Sequence, residues 1–226
     1  CCCWLASWSD ASSSPPTLGL FVRLAVTQGG AYDLSGKFGV NAAQAAALLR
    51  AARPHAARLG IAFHVGSQCL DPAVYAAALR LAAEAVAQSE VAVDIVDVGG
   101  GFPVSYPDTV PPPLDAYIAA IAEGARAFPE AVRLWAEPGR ALVAPGGSVV
   151  VQVELRRGDA LYVNDGVYGS LSDAGRPGFL FPARRIRPDM PEDDGAALRG
   201  FALYGPTCDS ADRMKGPFLL PEDLDE

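Results

Sequence analysis

Three apolar, strand-like segments of this 226-residue chain end in polar or glycine-rich motifs. The motifs are HVGSQ at 64–68, GGGFP at 99–103 and EPGR at 137–140. In parallel α/β folds, the residues that bind ligands gather at the carboxyl ends of the strands. The positions of the three motifs therefore predict that their side chains converge on one pocket.

A candidate anion site lies among these motifs. The run Gly99, Gly100 and Gly101 lets backbone N–H groups approach a phosphate closely, although such a run by itself is more often a turn. Arg140 supplies a cation that can clamp a phosphate with two hydrogen bonds, and Ser67 can donate its hydroxyl to the same group. The run does not match the dinucleotide-binding fingerprint, because no glycine stands at the third required position.

Glu137 and His64 could complete the pocket. Glu137 follows an apolar strand, where burial would penalise its charge unless a cation lies nearby, so it could hold a protonated ring nitrogen or pair with Arg140. His64 could stack on an aromatic cofactor, or it could be an ordinary hydrogen-bonded residue at a strand end. The chain has two histidines, which are too few for a typical His-rich metal centre, and we predict no metal site.

Alternating strand and helix patterns position these motifs. Strand-like apolar runs lie at 18–26, 60–66, 93–101 and 133–140, and helical patterns lie at 41–60, 71–88 and 114–128. The expected helix boundaries are N-caps at Asn41 and Asp71, a break or kink at Pro54, and a stop at Gly60. The alternation predicts βαβ units with a parallel sheet, in a barrel or a doubly wound fold.

The pattern changes near residues 141–146. Beyond this point, 146–157 and 160–169 alternate with period two or are rich in valine, and no helix separates them, which predicts an antiparallel β region. A strand within 200–214 is expected to run into a loop that carries Cys208. Cys208 is a candidate acid or nucleophile, although a cysteine is more often a buried structural thiol. The predicted organisation is a non-globular segment at 1–17, a first domain at 18–141 and a β domain at 142–226.

The composition excludes several classes of protein. Half of the residues are hydrophobic and 19% are charged, so the chain can bury a core and is not wholly disordered. The net charge of −8 argues against nucleic acid as a partner, and no apolar run is long enough for a transmembrane helix. The five cysteines do not resemble a disulfide framework, so we expect a reduced, cytoplasmic protein with no membrane partner.

Six motifs occur in order between residues 18 and 214. They are KFG at 37–39, FHVGSQ at 63–68, DVGGGFP at 97–103, AEPGR at 136–140, YVNDGVYGS at 162–170 and YGPTCDSADR at 204–213. The set resembles the ornithine/diaminopimelate/arginine decarboxylases, which use pyridoxal 5′-phosphate (PLP) and share the alanine-racemase-like fold, and its last two motifs favour the ornithine branch. The resemblance implies an α/β plus β fold: the C-terminal half of a PLP-binding (β/α)8 barrel and a mainly antiparallel β domain, incomplete at both ends.

The resemblance also implies a role for each candidate residue at the cofactor. His64 would stack on the ring, and Glu137 would pair with the pyridinium nitrogen and keep the ring protonated, so that it withdraws electrons when CO2 leaves. The residues that would hold the phosphate are Ser67, Gly99, Gly100, Gly101 and Arg140.

Two further pairs of residues would act at a dimer interface in this family. Cys208 would reach across the interface as the acid that reprotonates the substrate carbon, and Asp209 would contact the distal amine of the substrate. Lys37 of the KFG motif would pair with Asp212 of the second chain. The resemblance thus implies a homodimer with shared active sites and an amino acid as the substrate.

Two parts of the family pattern are missing from this sequence. The family's Schiff-base lysine lies in an AVKxN-like motif at the end of the first barrel strand, and neither Lys37 nor Lys215 matches it. The acid that usually follows GVYGS in the ornithine branch is also missing, since Asp173 is the nearest acid and its spacing differs. We therefore expect the chain to be a fragment that is inactive alone.

The predicted function is PLP-dependent decarboxylation of a basic amino acid, converting L-ornithine to putrescine and CO2 in polyamine synthesis. One alternative is a lysine, diaminopimelate or arginine decarboxylase of the same fold. The other alternative is a non-catalytic regulator similar to the antizyme inhibitors, although a pure binding module need not keep a cofactor pocket.

Overall fold

The computed structural model of the chain describes five ranges of residues, which form two compact units. The ranges are 18–26, 29–32, 37–175, 179–187 and 195–224. Unit 1 contains the described residues up to Val104 together with Pro111–Ala144, and unit 2 contains Ser105–Val110 together with the described residues from Pro145 onward. The segment 1–17, predicted to be non-globular, lies outside the described residues.

Unit 1 is built from alternating strands and helices. Its strands are β1 (Gly19–Arg23), β2 (Gly30–Tyr32), β3 (Arg58–Ala62), β4 (Ser67–Cys69), β5 (Ile95–Asp97) and β6 (Arg133–Trp135). Its helices are α1 (Ala42–Ala52), α2 (Ala73–Ser89), α3 (Leu114–Ala125) and α4 (Arg140–Val143). Strands β1, β3, β5 and β6 form a parallel sheet in that order, and β2 pairs antiparallel with β4. The predicted parallel sheet is therefore confirmed.

The core of unit 1 is formed by aliphatic side chains from the sheet and the helices. Leu49 of α1, Leu59 and Ile61 of β3, Leu79 of α2 and Val96 of β5 are all 0% exposed. Burying each such side chain stabilises the fold by about 1.5–3 kcal/mol relative to leaving it in water. The sheet that carries the candidate motifs is thus held firmly against its helices.

The first turns of α1 and α2 are stabilised by side chains. Asn41 forms a capping box, in which its side chain accepts a hydrogen bond from the Gln44 N–H and the Gln44 side chain accepts one from the Asn41 N–H. This confirms the predicted N-cap of α1. At α2 the N-cap position is Pro72, one residue later than predicted, and the Asp71 carboxylate accepts a hydrogen bond from the Ala73 N–H at 2.9 Å.

Helix α1 ends earlier than the sequence pattern indicates. Its last residue is Ala52, and Pro54 lies in the 3-10 turn that follows, because proline cannot continue the hydrogen-bond ladder of the helix. The prediction that Gly60 stops the helix is wrong. Gly60 lies in β3 opposite Phe21, where an added Cβ would collide with the Phe21 ring, so the glycine serves close packing in the sheet.

Strand β6 is more exposed than its apolar sequence suggests. Leu134 is 44% exposed and Trp135 is 43% exposed. The reason is topological, since β6 is the end strand of the described sheet and pairs with β5 along one edge. The strand also ends before EPGR, so Arg140 begins the short helix α4 and is not a strand residue.

Unit 2 contains a four-stranded sheet with its own core. Its strands are β7 (Val153–Arg157), β8 (Ala160–Val163), β9 (Leu198–Tyr204) and β10 (Phe218–Pro221), in the spatial order β10-β9-β8-β7. The pair β7/β8 is antiparallel, as predicted, and β9/β10 is antiparallel too, but β8 and β9 are parallel, so the sheet is mixed. The long connection between β8 and β9 permits this, because parallel neighbours need a crossover of a dozen or more residues.

Candidate functional site

The glycine run after β5 lies against the chain that follows β3 and β6. An added Cβ at Gly100 would lie 2.7 Å from the Glu137 carbonyl oxygen and 3.1 Å from Nε2 of His64. Gly99 and Gly101 have φ values of +69° and +104°, a conformation that side chains disfavour. Glycine is therefore required at this close approach, which brings the ends of three parallel strands together.

The imidazole of His64 is held in a defined orientation. The Gly66 N–H donates a hydrogen bond to its Nδ1 at 3.0 Å, which assigns the proton of the neutral ring to Nε2. Burial lowers the pKa of His64 below its usual 6.5, the positive charge of Arg23 lowers it further, and Glu137 opposes both effects. At neutral pH the ring is therefore uncharged and suited to stacking on a flat aromatic group.

Two hydrogen-bond donors meet beside the glycine run. The Nη2 atom of Arg140, in the first turn of α4, donates to the Ser67 hydroxyl at 3.2 Å, although the two residues are 73 positions apart in the chain. Both residues are partly buried. A guanidinium and a hydroxyl at this distance can donate to the same phosphate.

The carboxyl group of Glu137 is exposed, so the expectation that it would be buried is wrong. Its backbone is nevertheless fixed, because the Glu137 N–H donates to the Gly99 carbonyl at 2.8 Å. The exposure has the same origin as that of β6, since Glu137 follows the end strand of the described sheet.

The sequence reasoning missed a residue that holds the glycine loop. The Gln68 side chain donates to the Val104 carbonyl at 2.6 Å and accepts from the Val104 N–H at 3.1 Å. Gln68 is 3% exposed and has a φ of +57°, which is uncommon for a residue with a side chain. It belongs to the HVGSQ motif, so the motif itself was the signal.

Two more residues of unit 1 support the same loop, and a third affects His64. The Tyr75 hydroxyl donates to the Gly100 carbonyl at 2.9 Å, and the Asp97 carboxylate accepts from the Gly99 N–H at 2.8 Å. Burial raises the pKa of Asp97. Arg23, at the end of β1, lies close enough to His64 to affect its charge, and its strand-end position could have marked it as a candidate.

In unit 2, Cys208 and Asp209 lie in the loop after β9. Cys208 is exposed, so the base-rate expectation of a buried thiol is wrong for it, whereas Cys69 is buried and burial raises its pKa. The Tyr168 hydroxyl donates to the Asp209 carboxylate at 2.6 Å. This hydrogen bond raises the pKa of Tyr168 and lowers the pKa of Asp209.

The two residues predicted to pair across a dimer have different surroundings. Lys37 is exposed, with its Nζ 5.0 Å from the centre of the Phe38 ring. Asp212 is 2% exposed and accepts hydrogen bonds within unit 2. Their pairing between two chains stays a prediction.

The described ranges contain no cluster of three His, Cys, Asp or Glu side chains that could hold a metal ion. Within the same ranges, no helix has the length and apolar character needed to cross a membrane.

The residues of unit 1 fit a flat aromatic cofactor that carries a phosphate. The glycine loop leaves no room for a Cβ, Arg140 and Ser67 supply donors for an anion, and the neutral His64 ring can cover an aromatic face. On a parallel sheet with intervening helices, this set fits the PLP-binding domain of the alanine-racemase-like class that the motifs imply.

The comparison with known families identifies the class more closely. The family described as "Pyridoxal-dependent decarboxylase, pyridoxal binding domain" matches residues 15–144. The chain belongs to this family, and its cofactor is PLP. The resemblance and the fold class proposed from the motifs are thereby confirmed.

Curated relatives and solved structures agree with this assignment. Antizyme inhibitor 2 of Xenopus laevis is 31% identical, over 95% of this chain and 51% of that protein. The lysine/ornithine decarboxylase of Selenomonas ruminantium is 32% identical, over 92% of this chain and 53% of that protein. The structure of lysine/ornithine decarboxylase complexed with cadaverine from Vibrio vulnificus has a TM-score of 0.72 at 32% identity, over 92% of this chain and 54% of that one. The chain spans about half the length of these relatives.

Proposed function

We propose that this chain is part of a PLP-dependent decarboxylase that converts L-ornithine to putrescine and CO2. The observation that carries the proposal is the convergence of the glycine loop, His64 and the Arg140–Ser67 pair in unit 1. Relatives with decarboxylase names support the general reaction. We also propose that the protein acts in the cytoplasm as a homodimer, as the motifs imply.

Each residue of unit 1 has one task in this proposal. The backbone of Gly99–Gly101, the Ser67 hydroxyl and the Arg140 guanidinium bind the phosphate, because all three supply donors to an anion. His64 would cover one face of the ring without adding charge, and the exposed Glu137 carboxylate would accept a hydrogen bond from the ring nitrogen. When bound, the cofactor would supply an electron sink for the loss of the substrate carboxylate as CO2.

The residues of unit 2 act on the substrate and the product. In the proposed homodimer, the exposed Cys208 of one chain would deliver a proton to the substrate carbon at the site of the other chain after CO2 has left. The Asp209 carboxylate, already oriented by the Tyr168 hydroxyl, accepts a hydrogen bond from the distal ammonium group of the substrate. Any substrate with a distal cation satisfies this carboxylate, so lysine, diaminopimelate and arginine are the competing substrates, and product analysis of a longer chain separates them from ornithine.

The test of the cofactor site is an absorbance and fluorescence titration of the chain with PLP. We expect Arg140→Ala to weaken binding by about tenfold or more, since a charge-assisted hydrogen bond contributes about 1.5–3 kcal/mol. Arg126→Ala is the matched control, because Arg126 is exposed at the C-terminal end of α3 and pairs with Glu123 of that helix. Failure of the unaltered chain to bind PLP would contradict the proposed function.

The two lysines allow a test of whether the chain lacks the family's Schiff-base residue. At stoichiometric PLP we expect borohydride treatment to leave no pyridoxyl group attached to Lys37 or Lys215, as read by peptide mass spectrometry. The physical reason is that neither lysine lies in the family's motif, and Lys215 instead pairs with Asp108 at 2.9 Å in unit 2. An adduct at one lysine, abolished by replacing that lysine with arginine, would overturn this prediction.

A regulator similar to antizyme inhibitors is the second candidate. It is favoured by the 31% identity to antizyme inhibitor 2 of Xenopus laevis. The glycine loop, which fits PLP, argues for the enzyme, because binding a protein partner does not require glycine at three successive positions. Affinity for antizyme together with no affinity for PLP would select the regulator.

A further inference from the structure

A buried carboxylate in unit 2 connects two loops. The Cys208 loop (residues 205–213) follows β9, and the Tyr168 loop (residues 164–171) follows β8. Asp212 is 2% exposed. Its Oδ1 accepts a hydrogen bond from the Val167 N–H at 2.9 Å, and its Oδ2 accepts from the Thr207 N–H at 3.1 Å and from the Thr207 hydroxyl at 2.7 Å.

Both loops have a glycine where the carboxylate lies. An added Cβ at Gly166 of the Tyr168 loop or at Gly205 of the Cys208 loop would collide with the side chain of Asp212. The Gly205 N–H also donates to the Asp212 carbonyl at 2.9 Å, which closes the Cys208 loop. The two loops are therefore built around this carboxylate.

The hydrogen bonds continue from Asp212 to Asp209. The Thr207 hydroxyl, which donates to Asp212, accepts a hydrogen bond from the Asp209 N–H at 3.4 Å. The Asp212 N–H donates to the Asp209 carbonyl at 2.9 Å. Asp209 in turn accepts the hydrogen bond of Tyr168 from the other loop. The position of the Asp209 carboxylate thus depends on the anchoring of both loops.

We propose that Asp212 is a positioning residue that fixes the Cys208 loop against the Tyr168 loop and thereby sets the geometry of Asp209. It acts within one chain, through three donors that all need an acceptor. This role differs from an ion pair with Lys37 of a second chain, which the family likeness implies. It does not require the proposed reaction, so it can be tested without cofactor or substrate.

The first test measures amide hydrogen exchange in Asp212→Asn, peptide by peptide. Asparagine has nearly the same shape but replaces one of the two acceptor oxygens by an NH2 donor, which then faces at least one of the three donating groups, so we expect exchange at 166–169 and 205–209 to become about tenfold faster or more. Strand β9 is the internal control and should keep its protection. Equal acceleration in β9 would show only general destabilisation and would overturn the proposal.

A matched pair of variants separates the hydroxyl contact from bulk and shape. Thr207→Ser keeps a hydroxyl and should keep the protection of both loops, whereas Thr207→Val keeps the shape without the donor and should lose part of it. Lys37→Ala should leave both loops as they are. If Lys37→Ala matches Asp212→Asn in exchange, the ion pair with a second chain is the correct description and the proposal is wrong.

The second test follows Tyr168 by its phenolate absorbance, using the difference between each protein and its Tyr168→Phe counterpart. The hydrogen bond to Asp209 raises the pKa of Tyr168, and the charges of Asp209 and Asp212 also raise it. Asp212→Asn removes one of these charges, so the test uses Thr207→Val, which keeps both: if the anchoring of Asp212 at Thr207 positions Asp209, this variant returns the pKa of Tyr168 toward 10, as Asp209→Asn does in the positive control. An unchanged titration in Thr207→Val, beside a shifted one in Asp209→Asn, would contradict the proposal.

Discussion

His64 illustrates how single residues acquire their chemistry from their surroundings. Its ring accepts a hydrogen bond from Gly66, touches the glycine loop near Gly100 and lies near the charge of Arg23. Burial, the hydrogen bond from Gly66 and the charge of Arg23 favour the neutral ring, and the charge of Glu137 opposes them. A neutral, oriented imidazole is what stacking on a cofactor requires, and a protonated ring would be disfavoured beside Arg23.

The lowered pKa of His64 predicts a pH dependence of stability. At pH values between the pKa of His64 in the folded chain and 6.5, the unfolded chain binds the proton more readily than the folded chain. The free energy of unfolding therefore falls as the pH drops through 6.5 and levels off below the pKa of His64 in the folded chain. Urea unfolding at several pH values from 7.5 to 5.5 measures this. His64→Phe should flatten the slope, and an equal slope in His64→Phe and the unaltered protein would count against the assignment.

At the scale of the elements, hydrogen bonds join the short strand β4 to the loop after β5. Gln68 in β4 pairs with both polar groups of the Val104 backbone, as a neighbouring strand would. Its positive φ is a strained conformation that the two hydrogen bonds offset. These hydrogen bonds hold the glycine loop, which precedes Val104, in the conformation that lies close to His64.

Gln68→Glu tests whether this clamp shapes the phosphate site. The glutamate keeps one acceptor but places a second oxygen against the Val104 carbonyl, so the loop should be released. We expect the Kd for PLP to rise about tenfold, because leaving a buried polar group without a hydrogen-bond partner costs about 1–3 kcal/mol. The exposed Gln88→Glu is the control with the same change of charge. A Kd that does not respond to Gln68→Glu would mean that the loop holds its shape without the clamp.

At the scale of the whole molecule, the chain consists of two units with separate cores and covers about half the length of its relatives. The described sheet of unit 1 ends at β6, whose apolar side chains are exposed. An exposed, apolar edge strand is a template for pairing with another chain.

We therefore expect the isolated chain to self-associate through β6. Leu134→Lys places a charge on this edge and should reduce concentration-dependent association, measured by light scattering or sedimentation. Val110→Lys is the control, because Val110 is 85% exposed and lies outside the sheet of unit 1. If both lysine variants reduce association equally, net charge and not the strand edge is responsible.

Local patterns predicted much of unit 1 because its elements depend on neighbours in the chain. The strand–helix alternation, the N-cap at Asn41 and the helix break near Pro54 all follow from contacts over a few residues. The same patterns failed for Gly60, whose role depends on Phe21 in another strand. They also failed for the parallel pairing of β8 and β9, which depends on the path of a long connection.

The candidate site divides in the same way. The motifs and their order along the chain carried the resemblance that identified the family and the cofactor. Their convergence was predictable because the carboxyl ends of strands in a parallel sheet lie at one edge. Tertiary contacts decided the exposure of Glu137 and Cys208, the clamp of Gln68 and the burial of Asp212. Each of these is set by groups distant in sequence or by the edge of a sheet, and burial and hydrogen bonding of that kind arise only once the chain has folded.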